Sequence, residues 1–364
     1  MRSTRKLISV LLVLLAGGSG GTARVLAQKP QPAPKDPTAT VVVLATGGTI
    51  AGAAGSNVQA GYTSGQVGVQ ELLKAVPEAK KLAHLKGEQI ANIGSQDMND
   101  EVWIDLATRI NELLATDVDG IVITHGTDTI EETAYFLNLV VKSRKPVVLT
   151  AAMRPATALS ADGPLNFFNA VAVAASVDAK GRGVLVTVND WIHGAANLTK
   201  TSTTAVQTFM SPLSGLIGTV AYGDIVFFRE PIGKNTTQSV FTVNKNTVLP
   251  RVDIVMAYEN MDGALINAAA AAGAKGIVIA GVGNGNMTKV ALEAAAAVAK
   301  KGVVVVRSSR VTTGQVGRDV EIDDDKYGFV ASLGLNPPKA RVLLRLALTQ
   351  TRDVQQIQRF FDTY

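Results

Sequence analysis

Short apolar runs of buried-strand length alternate with longer stretches of helical period, and this alternation constrains the fold more than any other feature of the chain. The strand-like runs are Val41 to Ala45, Ile121 to Thr124, Val147 to Thr150, Val184 to Val188, Ile254 to Tyr258, Ile277 to Ala280 and Val303 to Val306. Helical patterns between them include Glu101 to Ala115, Ile130 to Val141, Asn166 to Ala175, Leu265 to Ala272 and Lys289 to Ala299. Such spacing predicts an α/β fold, a mostly parallel sheet with helices on both faces. The chain is rich in Ala, Val and Gly and only 5% aromatic, which suits buried parallel strands under Ala-rich helices.

The alternation pauses between Phe209 and Pro250. That stretch holds Gly215, Gly218, Gly223, Pro231 and Gly233 without a helical period, so hairpin-like strands and then a connector are expected. The expected organisation is a large N-terminal α/β domain over 38–230, a connector over 231–250 and a smaller C-terminal α/β domain over 251–364. Residues 28–37 carry Pro30, Pro32, Pro34 and Pro37 and read as an extended tether. Residues 1–27 read as a secretion signal. Arg2, Arg5 and Lys6 precede the apolar run Leu7 to Ala16, which is too short to span a bilayer, and the small side chains Val25 and Ala27 fit cleavage after Ala27.

Charge and cysteine usage narrow the partners. Removing Arg2, Arg5, Lys6 and Arg24 with the leader takes the formal charge from +5 to +1. No basic cluster is interleaved with aromatics, so nucleic acid is not an expected partner. With no cysteine, the chain has neither a disulfide nor a lipid-attachment thiol, and no membrane association is expected once the leader is gone.

Two strings end strands with a hydroxyl on a glycine-bearing turn: ATGGTIAG, with Thr49, and THGTDT, with Thr127 and Asp128. In open α/β sheets ligands bind outside the carboxyl ends of strands, and glycine lets backbone N–H groups approach them. Thr49 reads either as a nucleophile in need of a base or as a helix cap. Thr129 to Glu132 fits a capping box, which would leave Thr127 and Asp128 free to face a ligand. Lys200 lies in NLTKTSTT, either as a base made competent by its surroundings or as an exposed loop lysine. The glycine-rich loop from Gly52 to Gly65 carries Tyr62, either as a lid or as a surface loop. Glu321 lies in the acidic run VEIDDD. His125 has no G-x-S-x-G partner and reads as structural. No metal-ligand spacing occurs, and AGVGNGN at 280–286 is only a weak nucleotide-turn signal.

Taken together, six strings in register resemble the bacterial type II (periplasmic) L-asparaginases of the asparaginase/glutaminase family. They are ATGGTIAG, IGSQDMND, ITHGTDTIEETAYFL, MRPATALSADGPLN, TKTSTT, and RSSRV with YGFVAS. The resemblance runs from about Thr38 to Tyr364. It implies hydrolysis of L-asparagine to L-aspartate and ammonia through an acyl-enzyme, with no cofactor and no metal. It implies Thr49 as nucleophile, Tyr62 as its lid partner, and Thr127, Asp128 and Lys200 as a second triad. Ser95, Gln96, Asp128, Asn260 and Glu321 would bind the substrate, with Asn260 and Glu321 reaching a neighbouring subunit's site in a homotetramer built as a dimer of dimers. The implied location is the periplasm. A glutaminase-asparaginase with comparable activity on L-glutamine is the alternative. Gln96, where relatives that accept glutamine often have a glutamate, leans toward asparagine, while the segment Tyr258 to Asp262 departs from the commonest versions. A secreted protein that captures a small polar ligand without turnover is the reading from a different class.

Overall fold

A computed structural model describes residues 38–52 and 68–364. The leader, the tether and Tyr62 lie outside the described residues. Among those described, the strands in chain order are β1 (Thr40–Gly47), β2 (His84–Ile93), β3 (Gly120–Thr124), β4 (Val147–Thr150), β5 (Val184–Val188), β6 (Trp191–Gly194), β7 (Thr199–Lys200), β8 (Phe209–Met210), β9 (Gly218–Ala221), β10 (Asp224–Phe227), β11 (Val252–Met256), β12 (Gly276–Gly281), β13 (Val304–Ser309) and β14 (Phe329–Ala331). The helices are α1 (Val69–Ala75), α2 (Asp100–Leu114), α3 (Ile130–Val140), α4 (Gly163–Ala174), α5 (Ala264–Ala271), α6 (Lys289–Ala299), α7 (Asp324–Tyr327), α8 (Pro337–Ala347) and α9 (Val354–Thr363). None is long and apolar enough to cross a membrane.

The larger sheet has the order β10-β9-β6-β5-β4-β3-β1-β2. Its β2-β1-β3-β4-β5 section is parallel, and β6, β9 and β10 continue it antiparallel. Strands β1, β3, β4 and β5 are apolar because both of their faces are covered. Val42 and Leu44 of β1 point into a core with Trp103, Leu106 and Ile110 of α2 and Phe136 of α3. Val41, Val43 and Ala45 point the other way, among residues of α1 and α4. The α2 stripe Trp103, Leu106, Ala107, Ile110 and Leu114 repeats every three or four residues, so one helix face is buried. Asn99 caps that helix by accepting from Val102 N at 3.1 Å. The Trp103 ring stacks on Phe136 at 4.7 Å, and its indole N–H donates to Thr133 Oγ1 at 2.9 Å.

The smaller sheet, β11-β12-β13-β14, is parallel throughout. Val278 and Val306 on one face join the core shared with α8, while Ile277, Ile279 and Val305 pack with residues of α5 and α6 on the other. Helices therefore cover both faces here too, as the alternation predicts.

The pattern failed at sheet margins. β2 was not expected: His84–Ile93 carries Lys86, Glu88 and Gln89, and as an edge strand with half-exposed side chains it needs no apolar run. β11 starts at Val252 and ends at Met256, where Ile254 to Tyr258 was expected. Ile254 and Met256 are exposed on that edge strand, so apolar character there does not mark the hydrogen-bonded span. Strands β9 and β10 form the expected hairpin.

One polar contact in the smaller sheet's core is fully buried. The Arg307 guanidinium on β13 pairs twice with the Asp324 carboxylate at 2.6 Å. Its remaining N–H groups donate to the Asn284 and Gly317 carbonyls at 3.0 Å. The arginine thus fastens the loops after β12 and β13 together. Arg307→Met would leave the buried carboxylate without its counter-charge, and urea unfolding should show a loss of about 3–5 kcal/mol. Arg307→Met/Asp324→Leu, which removes both charges, should recover most of that loss.

Candidate active site

The strand order fixes where a ligand can enter. From β1 the chain crosses to one side to make β2, then returns past β1 to make β3 on the other. The carboxyl ends of β1 and β3 therefore flank a topological switch point, where the crossovers diverge and leave a crevice. Thr46 Oγ1 donates to the Thr124 carbonyl at 3.0 Å and ties the two strand ends together.

Three turns nest at this point, and glycine is what lets them meet. Gly48 has φ 81° and ψ −173°, a conformation open essentially to glycine alone. A Cβ there would lie 2.4 Å from Gly126 N and 2.5 Å from Gly126 Cα. A Cβ on Gly126 would lie 2.5 Å from Ser95 Oγ. The turn after β2 is drawn in by Gly48 N, which donates to the Ile93 carbonyl at 3.0 Å.

The convergence collects five of the expected site residues. Thr49, Ser95 and Thr127 are buried. Thr49 opens a short 3-10 turn after β1, and Ser95 opens another after β2. Ser95 Oγ accepts from Asp128 N at 3.1 Å, which keeps its own proton available for donation. Lys200 is not on a free loop: β7 pairs with β8 and presents its ammonium to the β3 turn. Nζ donates to Thr127 Oγ1 at 2.9 Å and to Asp128 Oδ1 at 2.7 Å. Because Thr127 Oγ1 accepts from the lysine, its own O–H points elsewhere. The Asp128 side chain stays 57% exposed despite the ion pair, so one face of the carboxylate is open. Gln96, next to Ser95, is exposed, and its amide donates to Asp97 Oδ2 at 3.3 Å.

Thr129 does not make the expected capping box. As the residue before α3 it offers no side-chain cap. Its hydroxyl donates instead to the Ser95 carbonyl at 2.7 Å, pulling the β2 and β3 turns together. Cross-turn bonding outcompetes local capping here because Ser95 lies so close. Glu132, the other half of the box, faces Arg341 of α8 at 3.8 Å.

Asn260 and Glu321 are placed elsewhere. Asn260 follows β11, is exposed and holds φ 55°. Glu321 follows β13 and accepts from Asn284 Nδ2 at 3.3 Å and from Asn286 Nδ2. Among the described residues, no hydrogen bond or ion pair links either one to the Thr49, Ser95 or Thr127 turns. The asparagines that hold Glu321 come from the AGVGNGN string. Val282 and Asn286 pair across that turn, and Asn284 Oδ1 accepts from Gly317 N at 2.8 Å. The glycines there shape a loop-to-loop contact, and the polar residues between them carried the signal that the nucleotide comparison overlooked.

His125 is fully buried, and burial pushes it down to about 4. Its Nδ1–H donates to the Gly126 carbonyl at 2.7 Å, so the neutral ring braces the turn. His193 is likewise buried, is held down to about 4 by burial, and meets Ser211 Oγ at 2.9 Å. No cluster of side chains among the described residues could hold a metal ion.

Both halves of the chain match one family's models: "Asparaginase, N-terminal" over residues 40–233, and "Glutaminase/Asparaginase C-terminal domain" over residues 251–361. The chain belongs to the asparaginase family. It is 56% identical over 324 residues to the "Probable L-asparaginase periplasmic" of Haemophilus influenzae, covering 89% of this chain and 93% of that one. It is 46% identical to the "Glutaminase-asparaginase" of Pseudomonas fluorescens, covering 93% and 94%. A crystal structure named "Probable Cytoplasmic L-asparaginase" from Campylobacter jejuni superposes with a TM-score of 0.88 at 47% identity, covering 90% of this chain and all of that one. The family is one of amidohydrolases, which removes the reading of a protein that captures a ligand without turnover.

The nested turns and the buried rings each predict a measurement. Gly48→Ala should lower unfolding free energy by about 2 kcal/mol or more, read as a fall in melting temperature, because strained backbone and a clash with Gly126 act together. Both histidines bind fewer protons folded than unfolded between pH 6.5 and 4. The stability this confers is present above pH 6.5 and drains as pH falls toward 4. Wild type should lose about 3 kcal/mol more than His193→Asn between pH 7 and pH 4 in urea titrations.

Proposed function

We propose that this enzyme hydrolyses the side-chain amide of L-asparagine to L-aspartate and ammonia, with Thr49 as nucleophile. The observation that carries the reading is the single hydrogen-bonded group made by Thr127, Asp128, Lys200 and Ser95 at the strand ends that also present Thr49. The names of the relatives support the substrate class.

The substrate is a zwitterion, and the crevice matches it end to end. The open face of Asp128 takes the α-ammonium. The free Ser95 hydroxyl proton and the Gln96 amide take the α-carboxylate, which would otherwise face Asp128 unfavourably. Thr49 Oγ then bonds to the amide carbon, and the carbonyl oxygen becomes an oxyanion. Backbone donors at the Thr49 and Thr127 turns would stabilise it, each worth about 3 kcal/mol. The C–N bond breaks, the nitrogen takes up the proton that Thr49 gave up on attack and leaves as ammonia, and an ester to Thr49 remains. Water cleaves the ester and returns the Thr49 proton. Water is the only co-reactant that this balance needs.

The second triad moves protons. Nζ touches both oxygens, so Lys200 can give a proton to Asp128 and then take one from Thr127 once that hydroxyl turns toward it. Tyr62 is proposed to close over Thr49 and exclude bulk water during the first step.

Asn260 and Glu321 are assigned to the site of a neighbouring subunit in a homotetramer. Their exposure, and the grip of Asn284 and Asn286 on Glu321, support this. We also propose N- and C-terminal domains over 38–230 and 251–364, and export to the periplasm after cleavage of 1–27, in keeping with the name of the Haemophilus influenzae relative. Comparable turnover of L-glutamine is the second reading, favoured by the name of the Pseudomonas fluorescens relative. One methylene of substrate length discriminates weakly in any pocket.

Ammonia release from each amide separates the two: a modest preference for asparagine is expected, and equal rates would establish the second. Thr49→Ala and Thr127→Ala should each lower kcat by at least about a thousandfold while leaving the melting temperature within a few degrees. Acid-quenched enzyme should carry the aspartyl group on Thr49, and its recovery on any other residue would overturn the assignment.

A further inference from the structure

The search leads to a buried lysine far along the chain from the proposed catalytic group. Lys339, in the first turn of α8, is only 2% exposed. Its Nζ makes two contacts that converge on the site from opposite sides. One is an ion pair at 2.9 Å with Glu131 Oε2, in the first turn of α3, directly behind the Thr127–Asp128 turn. The other is a hydrogen bond to the Leu198 carbonyl, immediately before β7 and Lys200. Glu131 is fixed further by Asn336 Nδ2 at 3.1 Å, and Asn336 also caps α8 through Lys339 N.

We propose that Lys339 is a positioning residue for the Thr127–Asp128–Lys200 group, holding the β3 turn and the β7 strand in register. Nζ of Lys200 must touch two oxygens on one turn while sitting on a two-residue strand whose partner, β8, is equally short. Such a ribbon supplies few ladder bonds of its own, so its place relative to α3 must come from outside. Lys339 supplies it, since one ammonium bonds both the backbone leading into Lys200 and the helix leading out of Asp128. Burial of the ammonium sharpens the tie, because a hydrogen bond gains electrostatic strength in a low-dielectric interior. Glu132 and Arg341, one residue or two along the same helices, repeat the α3–α8 approach but at 3.8 Å and without any contact to the β7 segment. The Arg345–Asp100 pair joins α8 to α2 and also bypasses Lys200. Among the described residues outside the group, Lys339 is the side chain that bonds both of its halves.

This proposal rests on the assignment of Lys200 to proton transfer, and the test reads the two separately. L-asparagine turnover is compared in wild type, Lys339→Met, Lys200→Met and the double variant. Lys339→Met should lower kcat roughly tenfold to a hundredfold, the effect of misplacing a catalytic group by about 1 Å. In the Lys200→Met background the same substitution should change kcat by no more than about twofold, because the residue it positions is already gone. A purely structural lysine would shift melting temperature and give the same proportional loss in both backgrounds, and that result overturns the proposal, as does wild-type kcat in Lys339→Met. Turnover retained in Lys200→Met alone would instead overturn the assignment of Lys200, and the proposal with it. If Lys339→Met does not fold, Lys339→Met/Glu131→Met removes both buried charges and replaces it in every comparison.

Discussion

Everything at the switch point depends on two backbones touching. Gly48 lies so close to the Gly126 backbone that it tolerates no Cβ, Ser95 closes off a Cβ at Gly126 in turn, and these approaches bring the Thr49 turn against the Thr127–Asp128 turn. Ser95 then fills the space beside Gly126 and bonds Asp128 and Thr129 at once. Thr49, Ser95 and Thr127 are buried because the turns are nested. A sheet of another strand order would put these turns on separate crevices.

Charge is arranged in layers around that contact. Innermost are neutral groups: threonine and serine hydroxyls and an uncharged His125 braced on a carbonyl. Asp128 and Lys200 come next, paired but with the carboxylate half open. Behind them lies the Lys339–Glu131 pair between α8 and α3, which is largely buried and serves as a fastener. Around the crevice this order leaves the half-open carboxylate of Asp128 facing outward and sets the largely buried charge of Lys339 and Glu131 behind it.

Much of this was legible in the residues. Apolar runs located β3, β4 and β5 and the centre of β1, because both faces of those strands are buried and composition follows burial. The glycine-hydroxyl strings located the turns, since close approach demands glycine. The edge strand β2 was invisible because half-exposed positions accept Lys86 and Glu88. The Thr129 box failed because local sequence cannot show that Ser95 would sit nearby to take the hydroxyl's proton. Lys200 read as an ambiguous loop lysine, since only tertiary pairing of β7 with β8 aims it. Lys339 had no signal at all: a lysine near a helix start looks solvated until the helix is packed against another. The separation of Asn260 and Glu321 from the other site residues was likewise beyond local pattern, being set by which sheet their loops follow.

The reach of α8 back to the β3 turn has a consequence for biosynthesis. The turns that hold Thr49, Ser95 and Thr127 are made early, yet Glu131 gains its ammonium partner only when Lys339, 208 positions further on, has emerged. A nascent chain could therefore assemble its central strands long before the carboxylate behind the crevice is neutralised. Helix α8 is the one that would turn a folded scaffold into a working one, so ribosomal products that stop short of it would be structured but idle.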